Sequence, residues 1–311
     1  MTRPTQACTP YRGRFAPSPT GPLHFGSLVA ALGSYLDARR HGGQWLVRME
    51  DLDPPREMAG AADDILRTLE AFGLGWDGPV LYQSNRSSIY ENALDQLRRA
   101  GLLYPCTCSR TEIAAALNAL GRTGVLAYPG TCRQRPSGSR PDHTLRVLTA
   151  DAGIVGFTDT LQGPQQQDLE REVGDFVLKR ADGLYAYQLA VVIDDADQNI
   201  THVVRGSDLL DSTPRQIHLQ HLLSLPTPAY AHLPIATNAA GEKLSKQTGA
   251  APVDRRLPRG DVLWRALEFL GQHPPQELRR APPDELLAWA VTVWDLQRVP
   301  REKGLIVDDQ L

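Results

Sequence analysis

The chain holds 311 residues, 41% hydrophobic and 22% charged, with a net charge of −3. This excludes a disordered polyelectrolyte and suits about two ordinary domains. The charge gives no global nucleic-acid signal, no apolar run approaches the roughly 20 residues of a spanning helix, and four cysteines are too few for a disulfide scaffold.

Residues 1–12 read as a loose tail without the apolar core of a secretory signal. A cytoplasmic location and no membrane segment are expected, and a monomer is the default because heptads are lacking. Gly13-Arg14-Phe15-Ala16 is a short strand, followed by a Pro-Ser-Pro-Thr-Gly turn. Leu28, Leu32, Tyr35 and Leu36 predict an amphipathic helix over 26–40, ended by His41-Gly42-Gly43. Trp45 to Met49 is the next strand, and strand–helix–strand is the crossover that opens a doubly wound α/β sheet. Helices are expected over 58–72 and 86–100, then a cysteine-containing insert from about 104 to 135. Strand-rich sequence returns from 173, including Phe176-Val177-Leu178 and Leu189 to Ile193, with Asp194 and Asp195 after it. On a strand those two acids would face opposite ways, which makes them a poor catalytic pair and points to a structural role. A helix is expected over 212–224, and two more, over 261–271 and 284–298, form a small appendix. The expected layout is an α/β unit in two halves, 13–103 and 173–250, around an insert at 104–172, with an appendix at 251–311.

Gly73-Leu74-Gly75-Trp76-Asp77-Gly78 matches a dinucleotide fingerprint by letters alone. A helix precedes it and Pro79 follows, the reverse of what the fingerprint needs, so it reads as a helix C-cap and turn.

The stretch from Arg14 to Ser27 carries more. It joins a strand to a helix, where α/β folds bind ligands. His24 falls at the helix start, where free N–H groups and the helix dipole favour a triphosphate, and Gly26 allows close approach. Gly241-Glu242-Lys243-Leu244-Ser245-Lys246-Gln247 is a loop whose lysines suit closure over phosphates.

Together these elements resemble the HIGH and KMSKS signatures of class I aminoacyl-tRNA synthetases, here His24-Phe25-Gly26-Ser27 and Lys243-Leu244-Ser245-Lys246-Gln247. Ser27 replaces the second histidine, so Ser27 or a backbone N–H is expected to make its phosphate contact. The Arg-Phe-Ala-Pro-Ser-Pro-Thr-Gly-x-Leu-His-x-Gly form is similar to the glutamyl enzymes. So are Arg48-Met49-Glu50-Asp51-Leu52-Asp53, Tyr82-Gln83-Ser84 and Val203-Val204-Arg205-Gly206-Ser207-Asp208. The resemblance covers about residues 13–250 and implies a Rossmann-like catalytic domain using ATP with Mg²⁺. It assigns His24, Gly26, Ser27, Lys243 and Lys246 to ATP, with His24 and Lys246 catalytic.

A glutamate site needs cations for two carboxylates and an anion for the ammonium. Arg14 and Arg205 suit the first task because a guanidinium fork grips a carboxylate. Glu50 suits the second, and Tyr187 could wall the pocket and donate a hydrogen bond. The resemblance places Arg14, Phe15, Ala16, Pro17, Ser18, Glu50, Tyr187 and Arg205 on glutamate.

Cys106, Cys108 and Cys132 would make an incomplete tetrahedral zinc site, structural in character, with Tyr128 and His143 both open as fourth ligand. Cys8 lies in the tail and receives no role. The short glutamyl-Q branch of the same family carries this Cys-x-Cys, Tyr-x-x-x-Cys pattern, which implies Tyr128. Only 64 residues follow Gln247, fewer than a full anticodon-binding region would take. This also resembles the glutamyl-Q branch, whose members attach glutamate to queuosine in the anticodon of tRNA(Asp). The implied partners are ATP, L-glutamate and queuosine-containing tRNA(Asp). The alternatives are a short acceptor-end glutamyl-tRNA synthetase and a non-catalytic tRNA-binding paralogue, the latter disfavoured by the intact lysines, His24 and glutamate contacts.

Overall fold

A parallel sheet begins at β1 (Arg12–Phe15) and passes through α1 (Phe25–Arg40) to β2 (Gln44–Met49), which pairs with β1 in register from Arg12↔Gln44 to Phe15↔Val47. The computed structural model describes residues 10–121, 127–134, 143–244, 252–253 and 258–307. Helix α2 (Ala61–Ala71) leads to β3 (Leu81–Tyr82) beside β2. Gly73, at φ +73°, follows the C-cap of α2, so the Gly-rich stretch there is a helix end and turn.

After α3 (Ser87–Arg99) come β4 (Leu103–Cys106), α4 (Arg110–Ala119) and β5 (Thr144–Val147). Strands β6 (Ile154–Asp159) and β7 (Gly163–Asp168) form an antiparallel hairpin, followed by the single turn α5 (Leu169–Glu172). Then β8 (Val177–Lys179) completes the antiparallel order β4-β5-β8. Val177 and Leu178, read from sequence as part of the returning half, therefore belong to the sheet of the insert.

The chain re-enters the first layer through α6 (Tyr187–Asp197), β9 (His202–Gly206), α7 (Thr213–Leu222), β10 (Ala229–Leu233) and β11 (Ile235–Thr237). The predicted strand Leu189–Ile193 is instead the middle of α6. All five residues are buried, so the helix shows no polar face to distinguish it from a strand. Strand β9 pairs parallel with β10 and lies on the free side of β1, where the Thr201 N–H donates to the Arg12 carbonyl at 2.9 Å. Chain order reverses between β1 and β9, and a cleft opens at the carboxyl ends of strands flanking such a reversal. At Gly33 of α1 a Cβ would stand 2.6 Å from Leu233 of β10, so glycine lets the helix settle on the sheet.

Helices α8 (Arg259–Phe269) and α9 (Pro283–Val293) pack on α1 through Leu263, Leu267, Leu286 and Leu287, in one core with Leu28, Leu32 and Trp45. Strand β12 (Gly304–Ile306) pairs with β11. The segment expected as an appendix thus shares the main core. Tyr11 and Arg12 are likewise no loose tail: Tyr11 is buried and its hydroxyl donates to Asp37 at 2.5 Å. Among the described residues, no helix is long and apolar enough to cross a membrane.

Candidate active site

At the carboxyl ends of β1, β2, β9 and β10 lies a cavity of about 450 Å³. Arg14, Phe15, Ala16, Pro17, Ser18, Glu50, Tyr187 and Arg205 all line it, as do His24, Gly26, Ser27 and Lys243. The sequence reading is therefore brought together in one place, apart from Lys246, which lies outside the described residues.

Arg14 is 3% exposed and turns its Nε and Nη2 to Asp195, at 3.2 and 3.4 Å. That edge of the guanidinium is committed to the protein, and the Nη1 side remains for a ligand. Arg48, wholly buried behind it, reaches Asp195 at 2.8 Å, Glu50 at 3.5 Å and Asp194 at 4.0 Å. Arg86 pairs with Asp194 at 2.6 Å and with Asp197. Asp194 and Asp195 thus meet one arginine cluster and do not diverge, because they sit on a helix, where neighbours are about 100° apart. They also follow Tyr187 by about two turns, so one face of α6 supplies both the phenol and the acids.

The cluster sets three guanidiniums, Arg14, Arg48 and Arg86, against four carboxylates, Glu50, Asp194, Asp195 and Asp197. Of the four carboxylates, Glu50 has the most distant nearest guanidinium, at 3.5 Å, and it faces the cavity. Burial pushes its carboxyl up to about 7; Arg48 and Arg14 draw it back, and Asp195 and Asp194 oppose them. The surplus negative charge stands where a cation can enter. Asp195 itself is held below the ordinary carboxylate range: burial raises it, but Arg14 and Arg48 outweigh burial.

Arg205 is the complementary case. It is 5% exposed and makes no ion pair among the described residues. Its Nη1 donates to the Tyr187 hydroxyl at 3.2 Å, its Nη2 to Thr213 at 2.9 Å and to the Leu209 carbonyl at 3.4 Å, and its Nε to His232 at 3.0 Å. A guanidinium has five N–H groups, so one on Nη1 is left over. Arg205 therefore cannot offer the two-pronged grip expected from sequence; it offers one N–H beside the Tyr187 O–H. Burial raises the Tyr187 pKa, which keeps the phenol a donor.

His24 is the N-cap of α1. Its Nδ1 accepts the Ser27 N–H at 3.3 Å, which leaves the proton on Nε2, 3.0 Å from the Ser27 hydroxyl. The ring donates to that oxygen, and the serine proton can turn to a phosphate. A Cβ on Gly26 would meet the His24 ring at 3.4 Å, ordinary contact, so nothing in the protein itself demands glycine there. Lys243 and Asp208, both at the cavity wall, form an ion pair at 2.5 Å. Sequence alone gives no site role to Arg48, Asp208, Asp159 or His232, and only a structural one to Asp195. Arg48 and Asp208 stood inside recognised segments; Asp159 and His232 carried no signal.

In the insert, the sulfurs of Cys106, Cys108 and Cys132 lie within 4.8 Å of one another. The Tyr128 hydroxyl sits 3.2 Å from Cys106 and 3.6 Å from Cys108, and accepts the Cys132 N–H at 3.0 Å. His143 is exposed and outside this group. Gly174, at φ +67°, lets the Tyr128 main chain pass: a Cβ there would fall 2.2 Å from the Tyr128 carbonyl oxygen. Three sulfurs and a phenol oxygen converging on one point fit a tetrahedral thiophilic ion such as zinc.

A family model described as tRNA synthetases class I (E and Q), catalytic domain, matches residues 11–267. The chain belongs to this family. Among class I synthetase relatives, it is 60% identical over 301 residues to a protein of Dechloromonas aromatica (strain RCB) named glutamyl-Q tRNA(Asp) synthetase, covering 96% of this chain and 99% of that one. A protein of the same name from Neisseria meningitidis serogroup B is 55% identical over 296 residues, covering 94% and 98%. The crystal structure of glutamate-tRNA synthetase from Elizabethkingia anophelis superposes with a TM-score of 0.80 at 27% identity, covering 96% of this chain and 68% of that one. The Rossmann-like α/β catalytic domain expected from the class I signatures is thus the fold observed, and the chain is a ligase of this synthetase type.

Proposed function

We propose that the chain activates L-glutamate with ATP and transfers it to queuosine in the anticodon of tRNA(Asp), in the cytoplasm. The observation that carries the activation step is the charge pattern of one cavity: a surplus carboxylate at Glu50 opposite a guanidinium, Arg205, with only neutral partners. The choice of acceptor rests on the full-length likeness to proteins named glutamyl-Q tRNA(Asp) synthetase.

On this reading Glu50 receives the ammonium, Arg205 and Tyr187 receive the side-chain carboxylate, and Arg14 steers the α-carboxylate. That carboxylate is ionised at neutral pH, so no general base is needed and positioning does most of the work. Its oxygen bonds to the α-phosphorus of ATP as the bond to the leaving pyrophosphate breaks. His24, Ser27, Lys243 and Lys246 stabilise the phosphates, and Mg²⁺ travels with the nucleotide. A queuosine hydroxyl then attacks the glutamyl carbonyl; AMP leaves, its phosphate taking the hydroxyl proton. Cys106, Cys108, Cys132 and Tyr128 hold zinc, which braces the fold of the insert.

Labelled glutamate offered with tRNA from queuosine-making cells and from cells unable to make queuosine tests the assignment. Label on the first pool alone supports it; equal label on both returns the chain to acceptor-end synthetases.

A further inference from the structure

Behind Arg205, away from the cavity, stands a buried chain of groups. His232 is 0% exposed and accepts the Arg205 Nε–H on its Nε2 at 3.0 Å. Its Nδ1 lies 2.6 Å from Asp159, at the end of β6 in the insert hairpin. The hairpin also grips the His232 main chain: Asp159 accepts its N–H at 3.2 Å, and Gln162 donates to its carbonyl at 3.0 Å. Thr213, which accepts from Arg205, lies 3.3 Å from His232 Nε2.

We infer that His232, braced by Asp159, is a positioning residue that fixes which N–H of Arg205 faces the cavity and so sets preference for a carboxylate over an amide. This rests on the reading of Arg205 as the cation for substrate glutamate. A carboxylate at Asp159 can only accept, so it holds the imidazole proton on Nδ1 and leaves Nε2 as an acceptor. Burial lowers the His232 pKa, as does the facing Arg205, against the pull of Asp159; Asp159 is held low because hydrogen bonds from His232 and the Gln162 N–H outweigh burial. A neutral ring therefore meets a charged guanidinium. With Nε, Nη2 and half of Nη1 committed, Arg205 presents one donor. The Tyr187 oxygen accepts from it and presents a second. Two donors match a carboxylate, whereas the NH₂ of an amide would face a donor with no acceptor.

The test is calorimetric binding of L-glutamate, L-glutamine and ATP to the full chain. His232→Leu should weaken glutamate about tenfold or more and narrow the glutamate-to-glutamine ratio, with ATP affinity within about twofold. His232→Gln, which can keep an acceptor toward Arg205, should recover most of the glutamate affinity. Glutamate affinity and selectivity unchanged in His232→Leu would overturn the inference. Should that variant fail to fold, Asp159→Asn decides: selectivity falls if the inference holds and stays if it does not. Arg205→Lys separates the two levels. If it leaves glutamate binding intact, the reading of Arg205 itself fails; if it alone weakens binding, only the positioning role fails.

Discussion

Arg205 donates to the Tyr187 hydroxyl across 3.2 Å, which leaves the phenol proton available to a ligand in the cavity that both residues line. The two side chains act as one carboxylate receptor. Tyr187→Phe should therefore raise the KM for glutamate by about 10- to 100-fold, the loss of one charge-assisted hydrogen bond, and leave the KM for ATP unchanged. Initial rates at varied glutamate check this; an unchanged KM would remove Tyr187 from the receptor.

Glu50 makes activity and stability oppose each other. Its folded pKa, about 7, lies above the ordinary 4.5, so its contribution to the fold is fully present below about pH 4.5 and is lost as pH rises through 7. Glu50→Gln should melt higher than the parent at pH 8, by up to about 3 kcal/mol in stability, and show little gain at pH 4. Melting curves at the two pH values decide.

Glutamate binding follows the same proton with the opposite consequence. An entering ammonium needs ionised Glu50, so affinity should fall as pH drops below about 7. The ligand's own groups do not titrate between about pH 5.5 and 7. Affinity flat across that window would show that Glu50 does not meet the ammonium.

The sulfur cluster predicts one zinc per chain by elemental analysis. Cys132→Ser should lose the metal, and Tyr128→Phe should bind it more weakly while keeping the three thiolates. Metal content equal to the parent in both variants would exclude this site.

Lys246→Ala should slow glutamate activation by about 10²- to 10³-fold without shifting the melting temperature, as expected for a group that acts on developing phosphate charge. Pyrophosphate exchange into ATP measures it, and normal exchange would sink the assignment of this loop.

Legibility from sequence followed physical locality. The crossover at β1, α1 and β2 and the residues from Arg14 to Ser27 are contiguous, and their spacing carries both element and site. Helix α6 reads as a strand in sequence because a helix buried on every side has the pattern of a buried strand, and the shared fate of Asp194 and Asp195 is hidden with it. The commitment of Arg205 to His232 joins residues 27 positions apart, and Asp159 lies a further 73 from His232. Only tertiary packing brings such partners together, and no local pattern announces them.

The most direct measurement locates the glutamyl ester. Queuosine-containing tRNA is charged with labelled glutamate before and after removal of its terminal adenosine. The account predicts that label survives the removal and stays with the anticodon fragment after cleavage. Label lost with the adenosine would contradict it and place the ester at the acceptor end.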